Sequence, residues 1–121
     1  MKNALAGALA LALSGPAPAR VNHVPIASYY GAGERLQSHT ANGEIFNPRD
    51  HTCASWTLPF GTILRVTYRG RSTIVRVNDR GPNPSLHRTI DLSAAAAEEI
   101  GLKKAGVAPV TIEILNLRGA P

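Results

Sequence analysis

Two short runs of alternating character, Ile63 to Tyr68 and Thr73 to Val77, joined through Arg69-Gly70, constrain this chain more than any other feature. In the first run Leu64, Val66 and Tyr68 share one face and Arg65 and Thr67 the other. In the second, Thr73, Val75 and Val77 lie opposite Ile74, Arg76 and Asn78. Period two over segments this short specifies half-buried strands, and the Gly between them specifies a hairpin. Continued past Val77, the same period puts Asp79 on the apolar side of the strand end. Gly81-Pro82-Asn83-Pro84-Ser85 then stops the strand. Arg76-Val77-Asn78-Asp79-Arg80-Gly81-Pro82 is therefore a strand running into a break, with a carboxylate at the junction.

The remainder fits the same architecture. Ile26 to Tyr30 reads as a strand closed by Gly31-Ala32-Gly33, and Asn42-Gly43 is a strong turn dipeptide. His39 to Trp56 is loop-rich and polar, yet carries Phe46 and Trp56, a mixture suited to a groove wall. Arg88 to Asp91 is a short strand. Ser93 caps a helix from Ala94 to Ile100, with Gly101 as its stop. Val110 to Ile114 forms the last strand, and Leu115 to Pro121 is expected to fray. Many short strands and one short helix predict a small all-β barrel.

Of the 121 residues, 1–19 read as a signal peptide: Met1-Lys2-Asn3, an apolar run from Ala4 to Leu13, and the cleavage form Ala17-Pro18-Ala19. The apolar run is too short to span a bilayer of ~30 Å as a helix. Residues 20–121 are then one exported domain, beginning with a linker from Arg20 to Pro25. Cys53 is the only cysteine, so no disulfide within the chain is possible, and it reads as an apolar filler. It lies too far from the cleavage site to carry a lipid anchor.

A formal charge of +5 favours a polyanionic partner. Export and the lack of interleaved aromatic and basic residues argue against nucleic acid. His23, His39, His51 and His87 show no helical metal-ligand spacing, so neither a metal nor another cofactor is expected. No serine has a G-x-S-x-G setting, which leaves acyl transfer unsupported.

Asp79 is the leading candidate for chemistry. A carboxyl beside a tight turn at the end of an apolar face is partly desolvated, which favours its proton-donating form. Arg76 and Arg80 would oppose that if they touch it. The plain alternative is an aspartate that caps the turn or pairs with Arg80. Glu44 is either the partner carboxylate used in glycosidic cleavage or a solvated loop charge. Tyr29, Tyr30 and Trp56 suit sugar faces as well as they suit a core edge. Asp91 and Ser93 read as cap acceptors.

Five segments in order, Ala27-Ser28-Tyr29-Tyr30-Gly31, Thr40-Ala41-Asn42-Gly43-Glu44, Thr57-Leu58-Pro59-Phe60-Gly61-Thr62, Arg76 to Pro82, and Ile90-Asp91-Leu92-Ser93, closely resemble the rare lipoprotein A (RlpA) family of double-psi β-barrels. The resemblance runs from about Ile26 to Leu115. It implies a six-stranded double-psi β-barrel that acts on peptidoglycan glycan strands as a lytic transglycosylase, a carbon–oxygen lyase. Such enzymes cleave the MurNAc–GlcNAc β-1,4 bond and leave a 1,6-anhydro-muramoyl end. Asp79 matches the family's catalytic aspartate and Glu44 its nearby acidic residue, while Tyr30, Asn78 and Arg80 would line the groove. Where family members carry histidine this chain has Ser55, and where they often carry aspartate it has Asn47. His51 is the one histidine that could stand in. This chain also departs from the founding members in lacking their lipid-anchor cysteine, so a monomer without a stable membrane anchor, periplasmic or extracellular, is expected. The alternative is a non-catalytic glycan-binding or wall-loosening barrel similar to expansins. The enzymatic reading rests on Asp79 and Glu44 facing one open groove.

Overall fold

The computed structural model describes residues 24–33 and 38–117. The signal-peptide reading of 1–19 and most of the linker fall outside them. The elements are β1 (Ile26–Tyr30), β2 (Thr52–Ala54), β3 (Ile63–Tyr68), β4 (Arg71–Asp79), β5 (Ile90–Ser93), α1 (Ala94–Glu99), α2 (Leu102–Ala105), β6 (Ala108–Pro109) and β7 (Thr111–Asn116), with a 3-10 turn at Pro84–Leu86.

All seven strands form one sheet in the order β6-β1-β5-β2-β4-β3-β7. Its outermost strands, β6 and β7, are separated in the chain by Val110 alone. Two Cα steps span at most about 7 Å, so the two edges of the sheet meet at Val110 and the sheet is curled on itself. The expected all-β barrel is thus what forms. The seventh strand is the two-residue β6, and α2 adds a second short helix.

The predicted hairpin is present in full, from Ile63↔Arg76 to Tyr68↔Arg71. Leu64, Val66, Val75 and Val77 are buried, as the alternation requires. They pack with Ala27, Cys53, Ile90, Leu92, Ala96, Ala97, Ile100 and Leu102 in one core. Small residues predominate on α1, which lets that helix lie close to the sheet.

Three elements differ from the expectation, each for a physical reason. β2 lies within the stretch read as loop and is central in the sheet, parallel to β4 and antiparallel to β5. Thr52, Cys53 and Ala54 are all buried, so no alternation marks the strand. Gly101 ends α1 at φ +80°, but the chain re-enters a helical turn at once because Leu102 is drawn fully into the core. The chain end does not fray at Leu115: β7 continues to Asn116, which pairs with Ile63.

Ser93 caps α1 by accepting from Ala96 N–H at 3.4 Å. It also accepts from Thr52 N–H at 3.3 Å and donates to the Asp50 carbonyl at 2.6 Å. The cap thus fastens the segment leading into β2 to the start of the helix.

Cys53 is fully buried, and burial pushes its thiol well above the usual range. Iodoacetamide is therefore expected to leave Cys53 unmodified in the native protein and to alkylate it fully in denaturant, read by intact mass. Rapid native labelling would contradict the filler role.

Candidate functional site

At the end of β4 the strand alternation breaks. β2 and β4 pair as Cys53↔Val77 and then Ala54↔Asp79, so the register skips Asn78. The extra residue makes a bulge, which bends a strand and redirects the next side chain. Asn78 is driven inside, 3% exposed, although alternation alone would turn it outward. Asp79 opens into a groove of about 450 Å³. Tyr30, Thr40, Phe46, Trp56, Pro82 and Asp91 contribute to its walls, as do His39 and Arg80.

Asp79 is held from three sides. Its Oδ2 accepts from the Tyr30 hydroxyl at 3.2 Å, and its Oδ1 accepts from the backbone N–H groups of Ala41 and Arg80, each at 2.9 Å. Among the described residues neither arginine guanidinium forms a hydrogen bond or ion pair with it, so the condition under which Arg76 and Arg80 would act on this carboxyl is not met. Arg76 is engaged with Glu44. Arg80 donates to the carbonyls of Ser55 and Leu58 at 2.8 and 2.7 Å and lies 3.8 Å over the Phe60 ring. Arg80 thereby clamps the Ser55–Leu58 turn against the groove wall.

Tyr30 stacks on Phe46, with ring centroids 4.9 Å apart. Burial, and then the Asp79 carboxylate that it faces and donates to, keep its phenol protonated far above the usual value, with Asp91 adding in the same direction. Trp56 is 53% exposed, and its indole N–H donates to the Pro82 carbonyl. That bond fixes the ring plane at the rim of the groove.

The structure separates Glu44 from this site. Glu44 is not among the residues lining the groove. Its carboxylate instead receives both arms of the Arg76 guanidinium, at 2.6 and 3.0 Å, and the amides of Asn78 and Asn42, each at 3.0 Å. Arg76 above all, with the two amides, outweighs partial burial and holds this carboxyl down at about 2. A group so held is an anion throughout the physiological range and is a poor proton donor. What it anchors is the 40–44 turn, whose Ala41 N–H is bonded to Asp79. The expectation that Asp79 and Glu44 face one groove therefore fails, because the turn carries Glu44 onto the Arg76 side of β4.

Other expected groove residues are placed differently as well. Ser55 is buried, and its hydroxyl accepts from the Thr57 and Leu58 N–H groups at 3.3 and 3.2 Å, closing a local turn. His51 pairs with Glu99 at 3.1 Å and is not in the groove lining. Asn78 touches Glu44 and not the groove. His39 does line it, with Nδ1 3.0 Å from the Ser38 hydroxyl.

Asp91 is the groove carboxylate that residue-level reading passed over. Ile90 and Leu92 on either side are buried in the core, so alternation along β5 turns Asp91 to the opposite face. That signal was available in the sequence, but a nearby helix start made a capping role equally plausible. Among the described residues no group of three or more His, Cys, Asp or Glu is placed to hold a metal.

Residues 23–112 match the family described as "Lytic transglycolase". Three relatives are named as endolytic peptidoglycan transglycosylase RlpA, the first of them as probable. The Nostoc sp. protein is 50% identical over 100 residues, covering 80% of this chain and 27% of the relative. The Vibrio cholerae protein is 47% identical over 96 residues, covering 75% and 35%. That of Helicobacter pylori strain J99 is 46% identical over 96 residues, covering 78% and 30%. This chain thus spans roughly a quarter to a third of their length. Among solved structures, Streptomyces papain inhibitor superposes with TM-score 0.61 at 27% identity, covering 78% of this chain and 94% of that one. A Clavibacter michiganensis expansin in complex with cellohexaose superposes with TM-score 0.59 at 19% identity, covering 81% and 52%. The second likeness concerns the fold alone.

Proposed function

The chain belongs to the lytic transglycolase family of double-psi β-barrels, and from that membership we propose that it is an endolytic peptidoglycan lytic transglycosylase in which Asp79 is the acid and base. Withdrawal of Glu44 from the groove removes the paired carboxylates on which the sequence reading rested, and the observation that now carries the proposal is the setting of Asp79, which sits in an open groove gripped by Tyr30, Ala41 and Arg80. A positioned carboxyl of this kind suits proton transfer to a bound sugar.

The reaction needs little more from the protein than that. Protonated Asp79 gives its proton to the glycosidic oxygen as the C1–O4 bond of the MurNAc–GlcNAc link breaks, and the electron pair leaves with O4. The muramoyl 6-hydroxyl then closes on C1 and returns a proton to Asp79, leaving a 1,6-anhydro end. Because the nucleophile belongs to the substrate, no activated water is required. In this scheme Glu44 and Arg76 position the Ala41 turn, Tyr30 and Trp56 offer faces for sugar rings, and Ser55 and Asn78 support the groove from behind. We further assign residues 1–19 to export and residues 20–121 to a monomeric domain working in the periplasm or outside the cell.

The test is digestion of peptide-stripped glycan strands followed by mass spectrometry. Anhydro-muramoyl ends are expected. Reducing ends in their place would mean hydrolysis, and intact strands would end the enzymatic reading. The second outcome would favour a glycan-binding barrel, a reading supported by Ser55 and by Asn47, whose side-chain oxygen accepts from the Arg49 N–H at 3.0 Å. Both readings use the Trp56 ring. Trp56→Ala is expected to weaken co-sedimentation with wall material about fivefold, as loss of one aromatic face does, without shifting the melting temperature. Unchanged sedimentation would remove Trp56 from the binding surface.

A further inference from the structure

The groove contains two carboxylates, and their placement follows from strand register. Ala54 on β2 is paired with Asp79 on β4 and with Asp91 on β5. The two aspartates therefore flank one small residue at the same level of the sheet. Two strand spacings put their backbones about 9 to 10 Å apart, and both residues line the same cavity. Ala54, only 3% exposed, is the low point between them.

Asp91 is oriented from behind. Ser28 is its register partner on β1, and the Ser28 hydroxyl donates to Asp91 Oδ1 at 2.8 Å. Tyr30 donates to Asp79 and lines the same groove as Asp91. The arrangement is a phenol and two carboxylates around one opening, with Glu44 turned away. Paired carboxylates flanking the scissile bond are the usual equipment for glycosidic cleavage through an oxocarbenium-like transition state.

We propose that Asp91 is the second carboxylate of the reaction and stabilises the positive charge that develops at the muramoyl C1. This assignment rests on the lytic transglycosylase reading. In it, the proton leaves Asp79 for O4, the C1–O4 electron pair goes to O4, and the O6 proton returns to Asp79 as O6 bonds to C1. Asp91 exchanges no proton. Its contribution is a fixed negative charge beside C1 during the interval between bond breaking and ring closure, and such preorganised charge acts mainly on kcat.

The discriminating variant is Asp91→Asn, which keeps the shape of the side chain and an oxygen to accept from Ser28. Its kcat on peptide-stripped glycan is expected to fall about a hundredfold, with KM and co-sedimentation with wall material near those of the wild type. Asp91→Glu keeps the charge and is the second variant, expected to retain at least tenfold more activity than Asp91→Asn. Wild-type turnover in Asp91→Asn, or equal losses in the two variants, would overturn the assignment while leaving the lytic reading intact. A wild-type protein that makes no anhydro ends would instead overturn the lytic reading, and this assignment with it.

Discussion

Asp79→Asn is expected to lower the yield of anhydro-muramoyl ends about a thousandfold, the scale on which a positioned proton donor contributes, while leaving the fold and glycan binding in place. The asparagine oxygen can still accept from the N–H groups of Ala41 and Arg80, which bond Oδ1 in the wild type at 2.9 Å. Its amide nitrogen then faces the Tyr30 hydroxyl, which can reverse its role and accept. Shape and contacts are conserved and only the transferable proton is lost. Mass spectrometry of the digest reads the chemistry, while a thermal melt and a wall sedimentation assay read the fold and the binding. Full activity in this variant would dismiss Asp79 as the acid. Complete unfolding would mean that its three hydrogen bonds serve structure first.

Glu44→Gln is expected to separate a positioning role from a catalytic one. The glutamine keeps much of the shape but loses the ion pair to Arg76, which includes the 2.6 Å contact. Glu44 titrates at about 2 in the fold against an ordinary 4.5, chiefly because Arg76 hydrogen-bonds it. A depressed carboxyl stabilises the fold above its unfolded pKa, and that stabilisation is lost as pH falls through the folded one. It should therefore be complete at neutral pH and disappear between about pH 4.5 and 2. The Glu44 side chain is 38% exposed, so solvent screening reduces its worth to about 1 kcal/mol. Urea unfolding at pH 7 should show the variant weaker by that amount, and by pH 2.5 most of the gap should have closed. Activity should fall by less than about tenfold, through looser placement of the Ala41 N–H on Asp79. A loss as deep as that of Asp79→Asn would restore Glu44 to the chemistry. A stability gap undiminished at pH 2.5 would mean that the Arg76 pair is not what matters.

Local readings held where local physics is strong. The hairpin around Arg69-Gly70 was legible because alternation and a turn glycine agree. Asn42-Gly43 could be placed because Gly43 needs positive φ, and it adopts +94°. The Ser93 cap was legible because a buried helix start leaves N–H groups that a serine oxygen satisfies. β2 was not legible, since three residues buried on both faces give no period to detect. α2 was hidden because a glycine that ends one helix also allows another to begin.

By itself the sequence determined that this chain is a small β-barrel whose main hairpin delivers Asp79 to a turn at a strand end. Alternation and turn chemistry act over a few residues and are written there directly. Only the tertiary structure decided which carboxylate shares the groove with Asp79. That choice depends on the bulge at Asn78 and on strand pairings that bring Asp91 and Asp79 to the two sides of Ala54. Glu44, equally acidic and nearer to the expected motif, is withdrawn by Arg76. Register between strands distant in sequence is set by packing of the whole core, which no local pattern encodes.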